Sequence, residues 1–307
     1  MRDYIRIARL DHWFKNIFML PGIALAFAFK PIYSTQLIPP IIMGIFSTCL
    51  IASANYVLNE WLDRDFDKHH PVKKQRPSVR IGLRAELVYT EYLLLAGSGL
   101  AIAWFVSRLF LLLSLTLLVM GLIYNVHPIR TKDKAYLDVL SESINNPLRL
   151  LLGWAILIPD ILPPSSIWMA YWMGGAFIMA VKRYSEYRFI NDPARAGQYR
   201  RSFSSYTEKS LFLSAFFYAN LSSFFLAIFL IKYRIEYILS FPFFALLFVW
   251  YLSLGMRPDS AAKDPEKIFR DPRFLGLSVF IAALVVALFF VDIPILHVLV
   301  NKIQLPS

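Results

Sequence analysis

The sequence predicts an all-α integral membrane protein, a bundle of about nine transmembrane helices with helical cytoplasmic loops. The first observation is composition: of 307 residues, 57% are hydrophobic and 17% charged. The second is arrangement, because the charges gather into blocks between long apolar runs. A bilayer core takes about 20 mostly apolar residues per helix. Residues 14–30, 37–57, 87–106, 108–126, 138–158, 166–184, 211–231, 236–255 and 274–299 supply such runs, and together they make one domain, 1–307. The third observation is basic-residue asymmetry. With the loops assigned to alternate sides, all of the 32 Lys and Arg residues share one side except Lys30, Arg108, Lys232, Arg234, Lys302 and the intramembrane Arg149. That side is cytoplasmic by the positive-inside rule. The net charge of +11 then reflects topology, attraction to anionic lipid and attraction to phosphorylated substrates. No basic motif interleaved with exposed aromatics points to nucleic acid. Cys49 is the lone cysteine, which excludes disulfides and thiolate metal sites within one chain.

Residues 1–12 mix Tyr4, Ile5, Ile7, Ala8 and Leu10 with Arg2, Arg6 and Arg9, the pattern of an interfacial helix. Trp13 and Lys15 anchor the first span, which Pro21 and Gly22 are expected to kink. Ala24, Ala26 and Ala28 sit inside that run rather than after it, so it reads as a retained helix and not a cleaved leader. Pro39 and Pro40 open the second span. Ser53, Asn55 and Asn59 make its last turns polar.

The informative stretch follows. With Asn59 at 0° on a helix, Asp63 falls near 40°, Asp67 near 80° and Glu60 near 100°, at about 100° per residue. Four oxygen-bearing side chains share one face, and oxygen donors grouped this way suit Mg²⁺. The competing reading is a solvated helix end with a Glu60–Arg64 ion pair. The long loop from about 60 to 86 adds Lys73, Lys74 and Arg76, which face either a bound diphosphate or the membrane surface. His69 and His70 read as solvated rather than as ligands.

A second polar stripe begins after the fourth span, which ends at Tyr124 and is followed by Arg130 and Lys132. On one continuous helix with Asp138 at 0°, Glu142 lies near 40°, Asn145 near 340°, Asn146 near 80° and Arg149 near 20°, at about 100° per residue. Ionisable groups at such a depth mark interior pathways or sites, and Pro147 is expected to bend the helix. The sixth span closes on Lys182, Arg183, Tyr184 and Glu186, either snorkelling anchors or anion donors together with Arg195, Arg200, Arg201 and Tyr206.

Asn59-x-x-x-Asp63-x-x-x-Asp67 after the second span, closed by Arg76-Pro77, resembles the UbiA superfamily of membrane prenyltransferases; Tyr124, Arg130 and Lys132 resemble its loop after the fourth span. Where that family usually has Asp after the Asn, this chain has Glu60. A closer resemblance is to the decaprenyl-phosphate phosphoribosyltransferase branch. It rests on Trp13-x-Lys15-Asn16, His70-Pro71, Lys182-Arg183-Tyr184-x-Glu186, Ser205-Tyr206-Thr207, Pro265-Glu266 with Arg270-Asp271, and Lys132 with Asp138 and Arg149. Asp138-x-x-x-Glu142 departs from the second Asp-x-x-x-Asp of the aromatic prenyltransferases.

The resemblance implies transfer of phosphoribose from phosphoribosyl diphosphate, a phosphorylated sugar donor, to a polyprenyl phosphate lipid, with Mg²⁺, held by Asn59, Asp63 and Asp67, as cofactor and diphosphate released. It implies catalytic roles for Asp63, Asp67, Lys73, Arg76, Lys182 and Arg183. Substrate contacts are expected from Asn59, Glu60, Lys74, Tyr124, Arg130, Lys132, Asp138, Glu142, Asn146, Arg149, Tyr184 and Glu186. The alternatives are a prenyltransferase acting on an aromatic acceptor and a transporter using the charged stripe as a pathway. Nothing in the sequence sets the oligomeric state.

Overall fold

The computed structural model describes residues 2–31, 34–68, 73–190, 192–257 and 271–298. All regular structure among them is helical. Among the described residues, seven helical stretches are long and apolar enough to cross a membrane. In chain order the helices begin with α1 (Arg2–Ile7), α2 (Leu20–Phe29), α3 (Ile38–Asp67), α4 (Pro77–Arg80) and α5 (Ala85–Val106). They continue with α6 (Arg108–Asn125), α7 (Leu137–Ser143), α8 (Asn145–Leu157), α9 (Ser165–Ile190) and α10 (Pro193–Tyr199). The last four are α11 (Glu208–Tyr233), α12 (Phe241–Gly255), α13 (Pro272–Phe290) and α14 (Pro294–His297). They fall into two compact units, Met1–Pro163 with Asp192–Tyr206, and Pro164–Asn191 with Thr207–Ser307.

Prolines set several boundaries in the first unit. Arg9 takes a left-handed conformation with φ 49°, which ends α1, and Leu10–Met19 then winds as a 3-10 helix. Pro21 stands in the first turn of α2, where its missing N–H costs nothing. The expected kink at Pro21 is therefore a change of helix type. Pro39 and Pro40 open α3 in the same way. At 30 residues α3 is about 45 Å long, so the helix that begins in the apolar run carries Asn59, Asp63 and Asp67 unbroken.

The expected span over 138–158 is corrected: it is two helices that meet at Ile144. Pro147 is the cause, since its ring excludes the carbonyl four residues back and it lacks a donor; it is tolerated only in the first turn of a new helix. The stripe from Asp138 to Arg149 is thus divided between two axes. The run at 166–184 lies within the longer α9, whose Trp168, Tyr171, Trp172 and Ser165 lower its apolarity.

Close backbone approach holds the first unit together. A Cβ on Gly153 would lie 2.1 Å from the Met19 carbonyl oxygen, and one on Gly22 would lie 1.9 Å from that of Leu150. Without a hydrophobic drive between helices in lipid, small residues and interhelical hydrogen bonds supply the attraction. Ser47 Oγ donates to the Gly99 carbonyl at 2.7 Å, and Trp13 Nε1 donates to Ser53 Oγ at 2.8 Å. In the second unit α9 packs along α11, and Ser222 Oγ donates to the Ala170 carbonyl at 2.9 Å. Phe177 stacks edgewise on Phe248 with ring centres 5.0 Å apart.

Gly153→Ala and Gly22→Ala should each destabilise the protein by about 1–3 kcal/mol through overpacking, while Gly97→Ala, with nothing within 4 Å of its added carbon, should not. Thermal unfolding in detergent separates the three, and equal behaviour would show that the helices part without cost.

Candidate active site

The last turns of α3 meet the loop after α6. Asn59 and Asp63 stand one turn apart, with Asn59 Nδ2 3.2 Å from Asp63 Oδ2 and 2.6 Å from Asn125 Oδ1. Asn125 is buried at the end of α6 and donates to the Gly121 carbonyl at 2.9 Å. Arg130 is held in an uncommon conformation, φ 27°, and is 4% exposed. Its guanidinium donates to Asp63 Oδ1 at 2.9 Å, to Asp133 Oδ2 at 3.0 Å and to the Asn125 carbonyl at 2.9 Å. Lys132 also donates to Asp63, and to Asn125 Oδ1 at 2.7 Å. Burial pushes the Lys132 ammonium down to about 8, although Asp63 pulls it upward. One turn beyond Asp63, the buried Asp67 is paired with Arg76. Two carboxylates and an amide on successive turns thus face a set of guanidinium and ammonium groups.

Glu60 is placed differently from the shared face expected of it. It is 2% exposed, 3.2 Å from Arg9 Nε, and accepts from Ser78 Oγ at 3.3 Å. The left-handed turn at Arg9 brings that guanidinium over, so Glu60 joins the amino-terminal segment to α4. No Glu60–Arg64 pair forms: Arg64 lies over the Trp61 ring, 3.9 Å from its centre, and donates to the Trp61 carbonyl. Lys74 is exposed in the turn Lys73–Gln75. The Lys73 side chain, His69, His70 and residues 258–270 lie outside the described residues.

Tyr124 donates to Glu142 Oε2 at 2.8 Å, and Lys132 Nζ sits 5.7 Å from the Tyr124 ring centre. Asp138, expected to line a cavity, is wholly buried and serves as a clamp. It accepts from Tyr206 Oη at 2.7 Å and from Ser202 Oγ at 3.1 Å, and Arg200 Nη1 is 3.6 Å away. Tyr206 Oη in turn accepts from the backbone N–H of Tyr136 at 2.5 Å, a residue at φ 65°. This hub fixes the loop that carries Arg130 and Lys132. Asn146 is half-buried in the first turn of α8, and Arg149 is buried in the second. Lys182, Arg183, Tyr184 and Glu186 belong to the second unit. There Arg183 is 3.3 Å from Glu186, and Tyr184 Oη donates to Glu208 at 3.2 Å.

Sequence reasoning missed Asn125 and Arg9. Asn125 was legible only as a polar residue closing an apolar run; Arg9 carried no signal beyond its charge.

The donor set fits a divalent cation. Asn59, Asp63 and Asp67 offer oxygen only, Asp63 is 19% exposed, and Mg²⁺ takes one or two carboxylates and leaves its other positions to water and phosphate oxygens. The cations that now neutralise the carboxylates would face those phosphates.

An apolar helical chain with a charge-compensated polar site at the end of a long helix is an integral membrane protein. It belongs to the UbiA prenyltransferase family, which residues 16–277 match, and is accordingly a transferase. Over 212 residues, 67% of each chain, it is 29% identical to the decaprenyl-phosphate phosphoribosyltransferase of Mycobacterium tuberculosis. It is 25% identical to protoheme IX farnesyltransferase 1 of Bacillus cytotoxicus over 182 residues, 57% of this chain and 58% of that one. A UbiA homologue from Archaeoglobus fulgidus bound to DMAPP and Mg²⁺ superposes with a TM-score of 0.70 over 94% of this chain and 100% of that one, at 22% identity. That likeness is one of fold.

Tyr206→Phe should cost about 1–3 kcal/mol, because it leaves the buried Asp138 short of a donor; an unchanged unfolding temperature would rule out the clamp. Lys132 is charged below about 8 and neutral above it. Diphosphate binding to the metal-free protein, followed by calorimetry, should therefore weaken as pH rises through that value, and Lys132→Met should flatten the profile.

Proposed function

We propose that the protein transfers 5-phosphoribose from phosphoribosyl diphosphate to a polyprenyl phosphate, releasing diphosphate. In this reading the chain crosses the membrane nine times and the site faces the cytoplasm. The observation that carries the reading is Asp63 held between Asn59 on one side and Arg130 and Lys132 on the other, in a chain whose relatives include decaprenyl-phosphate phosphoribosyltransferases.

Asn59, Asp63 and Asp67 would hold Mg²⁺, which when bound screens the charge of the diphosphate. Arg130, Lys132 and Arg76 turn from the carboxylates to the diphosphate oxygens, so the donor is held by cations already aimed at the site. Donors set in advance where charge develops are usually the largest catalytic contribution. In the reaction the bond from the ribose anomeric carbon to the diphosphate oxygen breaks, and its electron pair leaves with diphosphate. The new bond forms from a lipid phosphate oxygen to the same carbon. That oxygen is anionic near neutral pH, so no residue need act as a strong base. Tyr124, held by Glu142, stands beside Lys132 and fixes its approach.

A second reading, transfer of a prenyl group from its diphosphate to an aromatic acceptor, draws on the farnesyltransferase relative and on the DMAPP bound to the A. fulgidus homologue. Labelled phosphoribosyl diphosphate with polyprenyl phosphate and Mg²⁺ should give chelator-sensitive label in the lipid phase. A parallel reaction with polyprenyl diphosphate and an aromatic acid should stay silent; the reverse pattern would establish the second reading. Asp63→Asn and Asp67→Asn should each lower turnover by at least about 100-fold while the protein remains folded. Full activity in both would remove the metal role.

A further inference from the structure

Arg149 is 8% exposed in the second turn of α8, and no carboxylate among the described residues pairs with it. Its partners are neutral: Nε donates to Asn16 Oδ1 at 2.9 Å and Nη1 to the Asn145 carbonyl at 3.3 Å. Asn16 is itself buried and donates to Cys49 Sγ at 3.1 Å. The other buried cations of this unit are compensated, Arg130 and Lys132 by Asp63. An uncompensated guanidinium in apolar surroundings is costly, and an ionisable group at this depth marks a ligand site.

Two further features lie one turn away on the same helix. Asn145 Oδ1, one turn before Arg149, is buried without a hydrogen-bond partner. The break at Ile144 makes Asn145 the first residue of α8, so the positive end of a 13-residue helix dipole lies beside the guanidinium. An anion that also carries a hydroxyl satisfies all three groups: its charged oxygens take the guanidinium and the helix end, and its hydroxyl donates to Asn145. A phosphate monoester in its singly protonated form has that composition. A polar path leads from here to the metal residues. Asn145 Nδ2 donates to the Glu142 carbonyl at 3.0 Å, Glu142 takes the Tyr124 hydroxyl, and Tyr124 adjoins Asn125.

We propose that Arg149, Asn16 and the first turn of α8 form a binding site for a phosphate monoester, separate from the Asp63–Asp67 centre and requiring no metal. Assigning the monoester to the lipid acceptor rests on the transfer reaction proposed above; the anion site itself does not. Arg149 would then select a lipid monophosphate, while the acidic helix takes the diphosphate donor.

The test reads binding, not turnover, with farnesyl phosphate as probe in detergent containing chelator. Wild type and Asp63→Asn should both show a raised unfolding temperature with the probe. Arg149→Met should bind it at least tenfold more weakly, and Arg149→Lys should fall between. Ligand-free Arg149→Met should stay folded and unfold close to the wild-type temperature, since relief of a buried charge offsets the donor that Asn16 loses. Inorganic phosphate that displaces the probe at equal concentration would assign the same site to free phosphate. Undiminished probe binding by Arg149→Met, or loss of fold or a fall of several degrees in ligand-free Arg149→Met and Arg149→Lys, would make Arg149 a structural residue and overturn the proposal. Failure of the transfer assay leaves these outcomes readable, because none depends on turnover.

Discussion

Charge compensation around Asp63 is the constraint on which the rest of the first unit depends. A carboxylate at the end of a long apolar helix is costly unless cations meet it, and here Arg130 and Lys132 do so from a loop on another helix. Removing one member of a buried pair typically costs about 3–5 kcal/mol. An exposed pair such as Asp65–Lys68, with side chains 66% and 56% exposed, contributes about 0–1 kcal/mol. The buried contacts therefore dictate the loop, and the surface ones follow it. The positive φ values at Arg130 and Tyr136 are the local cost of that loop, since such conformations persist only where their surroundings over-determine them. Tyr206 and Asp138 supply the over-determination.

Packing and chemistry are coupled through α2 and α8. The contacts at Gly22 and Gly153 bring the amino-terminal 3-10 segment against α8, and this lets Asn16 reach Arg149. Larger residues at either glycine would separate those backbones and with them the two side chains. The helix break at Ile144 has a similar double effect. It divides a polar stripe between two axes, so Glu142 turns to Tyr124 while Arg149 turns to Asn16.

Much of this was legible because it is periodic. Apolar runs located the helices, and the i, i+4, i+8 spacing of Asn59, Asp63 and Asp67 placed them on one helix before any partner was known. What was not legible is non-local. Glu60 and Asp67 lie about 20° apart on an ideal helical wheel, yet one is taken by Arg9 and the other by Arg76; no local rule distinguishes them. Asp138 reads as a cavity residue by position and proves to be a clamp because Ser202 and Tyr206 arrive from some seventy residues downstream. Pro147 predicts a bend within one helix, whereas the chain resolves the missing donor by starting another.

The amino-terminal tether gives α1 a role that its small size conceals. Ile7 and Ala8 pack with Val57 and Val88, Tyr4 accepts a hydrogen bond from the Arg84 backbone at 3.1 Å, and Arg9 neutralises Glu60. Glu60 adjoins Asn59, so the first ten residues act as a splint on the turn that begins the acidic motif. Truncating them, or loading them with a bulky fusion, would disturb the start of that acidic motif through a carboxylate left without its cation.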